Sequence, residues 1–257
     1  MVNYEYDEHR QGGAKPMLAE WRVGADKGLH GPEIDQLRHD ADREFKKLKG
    51  VPRAGLMWMT VVGAALVVQP GNHASLVAAA ISDIERKIRS RAKSRLKGLR
   101  IRGVHEIEYL TMSPHMGPHK LALLKHLGVD VLKRGDASDE YDGDGIHHRS
   151  QRILLPHLHC VIDMREYSRA EVAAHFHAEF PGVWRTLGKS LYSDRTNQDN
   201  LTSLASYSTK FKVAYSDSYG DRPTKFGHLY ENVWQETMMA TLQSVGVEKM
   251  MFVHGVS

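Results

Sequence analysis

The chain has 257 residues, with 35 Lys plus Arg against 31 Asp plus Glu, 16 His, one Cys and 41% hydrophobic residues. That size and apolar fraction belong to a globular protein with a substantial core, and they exclude disorder, collagen and coiled coil as overall descriptions. The net charge of +4 leans mildly toward polyanionic partners, but it is unevenly spread. Arg86, Lys87, Arg89, Arg91, Lys93, Arg95, Lys97, Arg100 and Arg102 follow one another with no acidic residue between them, whereas Asp136, Asp139, Glu140, Asp142 and Asp144 form an acidic stretch.

Residues 1–30 are polar without sustained periodicity and read as a loosely ordered arm. Pro32 suits a first helical position, and Ile34, Leu37, Ala41, Phe45 and Leu48 form one apolar stripe, so a helix is expected to run to Gly50 and Pro52. Leu56 to Val62 predicts a buried strand ending at Gly63, with Val67 and Val68 extending it or starting a neighbour. A second helix is expected from about Ala74 to Leu96, with Val77, Ile81, Ile84 and Ile88 on one face and the basic run in its far half. From Val104 onward residues alternate as in a strand, placing Val104, Glu106 and Glu108 on one side and His105, Ile107 and Tyr109 on the other.

Residues 113–150 read as an insertion: a helical piece from His119 to Leu127, then a loop rich in Gly and Asp. The loop lacks the ligand spacing of a calcium-binding EF-hand and is expected to be solvated. Arg152 to Asp163 is a β-rich apolar segment. Ser168 to Glu171 is a capping box that opens a helix ending by Pro181, and Val183, Trp184 and Leu187 are expected in the core. Asp199 or Asn200 caps a helix from Leu201 to about Lys212; a last helix lies within Tyr230 to Ser244, before a strand near Met250 to Val253. With no repeat and no Gly-rich phosphate loop, the fold class is α+β, helices layered on a sheet.

The chemistry concentrates in three places. In a strand, His157 and His159 project from the same face of Leu154-Leu-Pro-His157-Leu-His159-Cys-Val-Ile, close enough to share one ion. Packing alone accounts poorly for two imidazoles there, since each needs a hydrogen-bond partner when buried. Glu106 and Glu108 offer oxygen ligands if the two β-segments are neighbours, and a mixed nitrogen and oxygen set suits Mn²⁺ or Mg²⁺ acting on a phosphate. Tyr207 and Lys210 would share a helical face at i and i+3, an arrangement in which an ammonium supports a phenolate nucleophile.

Taken in order, the Leu- and Thr-containing strand at Leu56 to Val62, the Glu106-Ile-Glu108-Tyr109 segment, Pro156-His-Leu-His159 and Tyr207-Ser-Thr-Lys210 resemble the HUH endonuclease superfamily. The likeness is to the rolling-circle replication initiators of bacterial plasmids and related mobile elements, and it covers roughly residues 54–215. It implies an antiparallel sheet backed by helices, with residues 1–50 as an arm and helix and residues 51–257 as the nuclease domain. It further implies a metal held by His157, His159 and Glu106, with Glu108 as competitor, and Tyr207 as a nucleophile supported by Lys210. The implied partners are single-stranded or locally melted origin DNA together with a host helicase and polymerase. Phe211 and Ser203 flank Tyr207 where some relatives carry a second tyrosine or a carboxylate, so a single-tyrosine enzyme is expected; Tyr215 and Tyr219 are the remaining substitutes.

Arg86, Lys87, Arg89, Arg91, Lys93, Arg95 and Lys97 are the candidate DNA-binding residues. Alternative readings are a non-catalytic nucleic-acid-binding protein using that segment, an HUH transposase or relaxase, and a metal hydrolase or zinc-stabilised protein using His115, His119, His126, His147 and His148. Cys160 has no cysteine partner in the chain, the polar acidic start lacks a signal-peptide pattern, and the longest apolar stretch, Ala54 to Val68, falls short of the roughly 20 residues that span a bilayer. A cytoplasmic protein without membrane association is therefore expected.

Overall fold

A computed structural model describes residues 21–111, 116–131, 151–215 and 228–255. In chain order its elements are β1 (Arg22–Val23), β2 (Leu29–His30), α1 (Pro32–Lys46), β3 (Leu56–Val62), β4 (Leu66–Val68), α2 (Ala74–Ser94), β5 (Arg100–Thr111) and α3 (Pro118–His126). There follow β6 (Arg152–Asp163), α4 (Arg169–Glu179), β7 (Thr186–Ser190), α5 (Asn197–Ser208), β8 (Ala214–Tyr215), β9 (His228–Leu229), α6 (Asn232–Val245) and β10 (Met251–His254). The architecture is α+β: an antiparallel six-stranded sheet in the order β10-β5-β6-β3-β7, with β4 pairing the start of β6, and helices on both faces.

The spine is the pair β5 and β6, each of 12 residues and in register over the full length from Arg100 opposite Asp163 to Thr111 opposite Arg152. Every residue of β6 is buried, because both faces are covered. On one face Met57, Met59, Leu158, Cys160 and Ile162 pack with Ile84 and Ile88 of α2 and Val172 and Phe176 of α4. On the other, Trp58, Val104 and Val161 join Ile34, Leu37, Ala41 and Phe45 of α1 and Leu201 and Ala205 of α5. The apolar stripe of α1 is thus buried as its spacing requires, and a buried Arg102 on β5 meets Glu44 of the same helix at 3.2 Å.

Pro156 sits in the middle of β6, where a missing N–H normally costs a ladder bond. Its carbonyl accepts from the Gly63 amide at 3.0 Å, and a strand residue points its N–H and C=O to the same side. The missing donor therefore faces the gap between the end of β3 opposite His157 and the start of β4 opposite Leu154, so no bond to β5 is lost. This gap also explains why Val67 and Val68 form a separate short strand.

Several sequence expectations are corrected. The segment Trp21 to His30 is no loose arm: β1 and β2 pair as a hairpin whose Gly28 bridges Lys212. The helix bearing Tyr207 begins at Asn197 with Thr196 as its cap, whose hydroxyl accepts from the Asp199 amide, and it stops at Ser208 instead of reaching Lys212. Val183 is exposed and Trp184 half-buried, while Leu187 belongs to the edge strand β7, which the sequence pattern does not announce. The capping box at Ser168 is present in both directions, and the first part of the insertion is the helix α3; the acidic Gly- and Asp-rich loop lies outside the described residues.

Gly103 allows β5 and β6 to approach: a Cβ there would lie 2.6 Å from the Cys160 Cβ and 2.6 Å from the His159 carbonyl oxygen, whereas one at Gly50 would meet nothing within 4 Å. Gly103→Ala should destabilise the fold by about 1–3 kcal/mol in denaturant unfolding, and Gly50→Ala should stay within about 0.5 kcal/mol of the parent. Equal midpoints for the two variants would show that the strand spacing is not tight.

Candidate functional site

The β5–β6 register sets Glu106 opposite His157 and Val104 opposite His159, so one carboxylate and two imidazoles share a face. Glu106 Oε2 lies 3.4 Å from His157 Nε2 and 3.1 Å from His159 Nε2. The three ligand-capable atoms fall within 4.8 Å of one another, and among the described residues no other group of His, Cys, Asp and Glu is so arranged.

The far nitrogens are engaged. His157 Nδ1 is 3.0 Å from the Leu155 carbonyl oxygen, to which it can only donate, and His159 Nδ1 is 2.9 Å from the Thr60 hydroxyl, supplied by the strand residue directly opposite on β3. With Nδ1–H donated to a carbonyl, the neutral tautomer of His157 turns a bare Nε2 toward the Glu106 carboxylate. Two lone-pair donors facing each other are satisfied by a proton or by a cation. That donor set, with its outer hydrogen bonds in place, fits a divalent ion held by His157, His159 and Glu106.

The electrostatics follow the same geometry. Burial would raise the Glu106 pKa, but hydrogen bonds and charge from His157 and His159 outweigh it and hold the carboxyl well below the usual range. Burial opposes protonation of His157 too, yet the Glu106 partner wins and its pKa is raised; for His159 burial prevails and its pKa is lowered. The shared carboxylate thus favours protonation of His157 over that of His159.

Glu108 lies two residues along the same face but is held 3.5 Å from the Nζ of Lys120, a lysine buried in α3. Glu106 therefore faces the imidazoles and Glu108 faces an ammonium, which distinguishes the two carboxylates that sequence alone leaves in competition.

Tyr207 reaches the site from α5. Its ring stands edge-on to His159 at 5.3 Å between centroids, and Trp58 completes the group, parallel to His159 at 5.3 Å and edge-on to Tyr207 at 6.3 Å. Although Tyr207 is 47% exposed, burial of the remainder and the nearby carboxylates Glu106 and Glu108 push its phenol pKa up to about 12.

Lys210 is not beside it. Two residues past the end of α5, Lys210 extends to the N-terminal hairpin, its Nζ 3.8 Å from Asp26. The cation at Tyr207 is Lys212, with Nζ 5.7 Å from the ring centroid. Trp58, Thr60 and Lys212 are the site residues that motif reading omits; the register of β3 with β6 would have exposed Thr60 and Trp58, but nothing local signals Lys212.

The basic run lies elsewhere. α2 packs on the opposite face of the sheet, through Ile84 and Ile88 and through Glu85, which meets His105 at 3.3 Å. Arg86 and Lys87 pair with Asp83, Arg89 with Glu85 and Arg91 with Glu179, while Lys93, Arg95 and Lys97 are exposed. Of the other histidines weighed as ligands, His119 lies against Trp184 at 4.1 Å and His126 meets the Pro181 carbonyl; His115, His147 and His148 fall outside the described residues. So does Tyr219.

Comparison with protein-family models, curated proteins and solved structures finds no match. No helix among the described residues is long and apolar enough to cross a membrane.

A proton and a cation compete for His157 Nε2. Because the His157 pKa is raised above 6.5, affinity for Mn²⁺ should fall as pH drops from about 8 to about 6, with proton release from the protein on binding, as titration calorimetry in buffers of different ionisation enthalpy would register. Thr60→Val, which removes the His159 Nδ1 partner, should weaken Mn²⁺ binding by about tenfold; pH-independent binding that also ignores Thr60→Val and Glu106→Gln would exclude this triad as the ligand set.

Proposed function

We propose that the protein is a rolling-circle replication initiator of the HUH type, a metal-dependent enzyme that nicks and rejoins one strand of DNA through Tyr207. The observation that carries this reading is the convergence of a Glu-His-His donor set and a tyrosine on one sheet face, with the Tyr207 ring against the ring of His159. A divalent ion such as Mn²⁺ or Mg²⁺, when bound, supplies Lewis acidity toward a scissile phosphate.

The chain's residues account for the rest. Tyr207 is a neutral phenol near pH 7 like any tyrosine, and burial with the nearby carboxylates disfavours its phenolate further, so nearby positive charge is needed to form the nucleophile. Its oxygen attacks phosphorus, the bond from phosphorus to O3′ breaks, and the phenolic proton is lost as O3′ gains one. The products are a 5′-phosphotyrosine and a free 3′-hydroxyl. One phosphodiester is exchanged for another, so no nucleotide cofactor is consumed, and reversal rejoins the strand. Trp58 and His159 restrict the Tyr207 ring, which favours attack from a fixed direction. A 3′-hydroxyl primer calls for a host polymerase and helicase as working partners.

Incubated with single-stranded origin DNA and Mn²⁺, the protein should form an adduct that survives denaturing detergent. Tyr207→Phe, His157→Ala and chelation of the metal should each reduce it below detection, while Glu108→Gln should retain more of it than Glu106→Gln. An adduct of undiminished yield in Tyr207→Phe would remove Tyr207 from the chemistry.

A further inference from the structure

Beside the site, the surface carries two cation–aromatic pairs in line. Tyr192 is 61% exposed, and the Arg195 guanidinium lies 4.9 Å from its ring centroid. Arg195 donates to the Ser203 hydroxyl at 3.2 Å, and Ser203 is one helical turn before Tyr207 on α5, the residue that Lys212 covers at 5.7 Å. Lys189 of β7 stands opposite Trp58 in register, so it projects from the same face as His159, and it is exposed.

This line is built rather than incidental. The buried Asn200 side chain clamps Tyr192 by its backbone, accepting from its amide at 3.1 Å and donating to its carbonyl at 3.0 Å. Arg53 donates to the Ser193 carbonyl at 2.9 Å, and Asn197 donates to that of Val51 at 2.6 Å. An exposed ring on so fixed a loop is not filling a core. Lys212 is fixed as firmly: its backbone bridges Gly28, the Val213 amide donates to the Lys27 carbonyl at 3.0 Å, and the Leu29 amide approaches the carbonyls of Lys210 and Phe211. Gly28 permits that approach, since a Cβ there would lie 2.7 Å from the Lys210 carbonyl oxygen.

We infer that Tyr192, Arg195, Lys189 and Lys212 form the track along which single-stranded DNA enters the site, Tyr192 stacking a base and the three cations meeting phosphates. Pinned aromatic faces with interleaved cations suit unpaired bases, whose π-faces are accessible only outside a duplex. The inference rests on the nuclease reading and replaces the α2 segment, which occupies the other face of the sheet, as the DNA contact.

The test uses Tyr207→Phe protein, which keeps the ring but cannot be consumed, with Mn²⁺ and a fluorescein-labelled single strand of about 16 nucleotides, read by anisotropy across a salt series. Tyr192→Ala keeps the backbone bonds to Asn200 and should weaken binding by about tenfold with the salt slope unchanged. Arg195→Ala and Lys212→Met should each lower the slope by about 0.7, the loss of one phosphate contact. A combined Lys93, Arg95 and Lys97 to Ala variant should bind within about twofold of its parent. Binding that depends on that α2 variant and ignores Tyr192, Arg195 and Lys212 overturns the track while leaving the nuclease reading intact. Absence of single-strand binding by the Tyr207→Phe protein, together with absence of adduct formation by the unsubstituted protein, overturns both.

Discussion

The unbroken register between β5 and β6 is the constraint on which everything else rests. Because side chains alternate with a period of two, a slip of one residue would carry Glu106 away from the imidazoles and turn His157 and His159 into an apolar layer. Burial on both faces makes such a slip costly, and the local details agree with it. Gly103 leaves room where the strands pass Cys160, and Pro156 is placed where it has no ladder partner to lose. Thr60 and Trp58 then follow from a second register, that of β3 on β6, which lays a hydroxyl against one histidine and an indole along the same ring.

Inside this frame a largely enclosed carboxylate needs compensation, since an isolated charge is expensive away from water. Glu106 obtains it from two imidazoles, of which one is disposed to carry a proton. The position that suits a proton between these groups also suits a cation. Glu108 is neutralised separately by Lys120, so the two acids two residues apart do not compete for one partner. Sequence pattern treats them as equivalent; the short helix inside the insertion is what distinguishes them.

Much of this is legible in the sequence alone. The stripe of α1, the strands at Leu56–Val62 and Arg152–Asp163, the capping box and the shared face of His157 and His159 all depend on local periodicity, which a sequence displays directly. What was not legible is non-local. Neither Gly nor Pro marks the end of α5; it stops where the chain is drawn to the hairpin at Trp21 to His30, with Phe211 buried at a φ of 41°. The spacing of Tyr207 and Lys210 therefore misleads, since i and i+3 share a face only within a helix. β7, Thr-Leu-Gly-Lys-Ser, has little intrinsic β preference and is a strand because β3 offers an edge. The basic run is plain in the sequence, but its acidic partners Asp83, Glu85 and Glu179 show their role only in three dimensions.

The tether from Lys212 to Gly28 has a consequence for how the molecule comes into being. A chain emerging vectorially from the ribosome presents the residues of β3, β5 and β6 well before α5, and the segment behind Tyr207 is fixed in part by closing a loop back to the first hairpin. The ring beside the imidazoles is thus positioned only after α5 has been made and packed, and the segment after it only through a long-range closure that is slow relative to local helix formation. A half-made or truncated chain would possess imidazoles and a carboxylate but no aimed phenol. The joint placement of carboxylate, imidazoles and phenol is in that sense a property of completed folding, withheld from the nascent polypeptide.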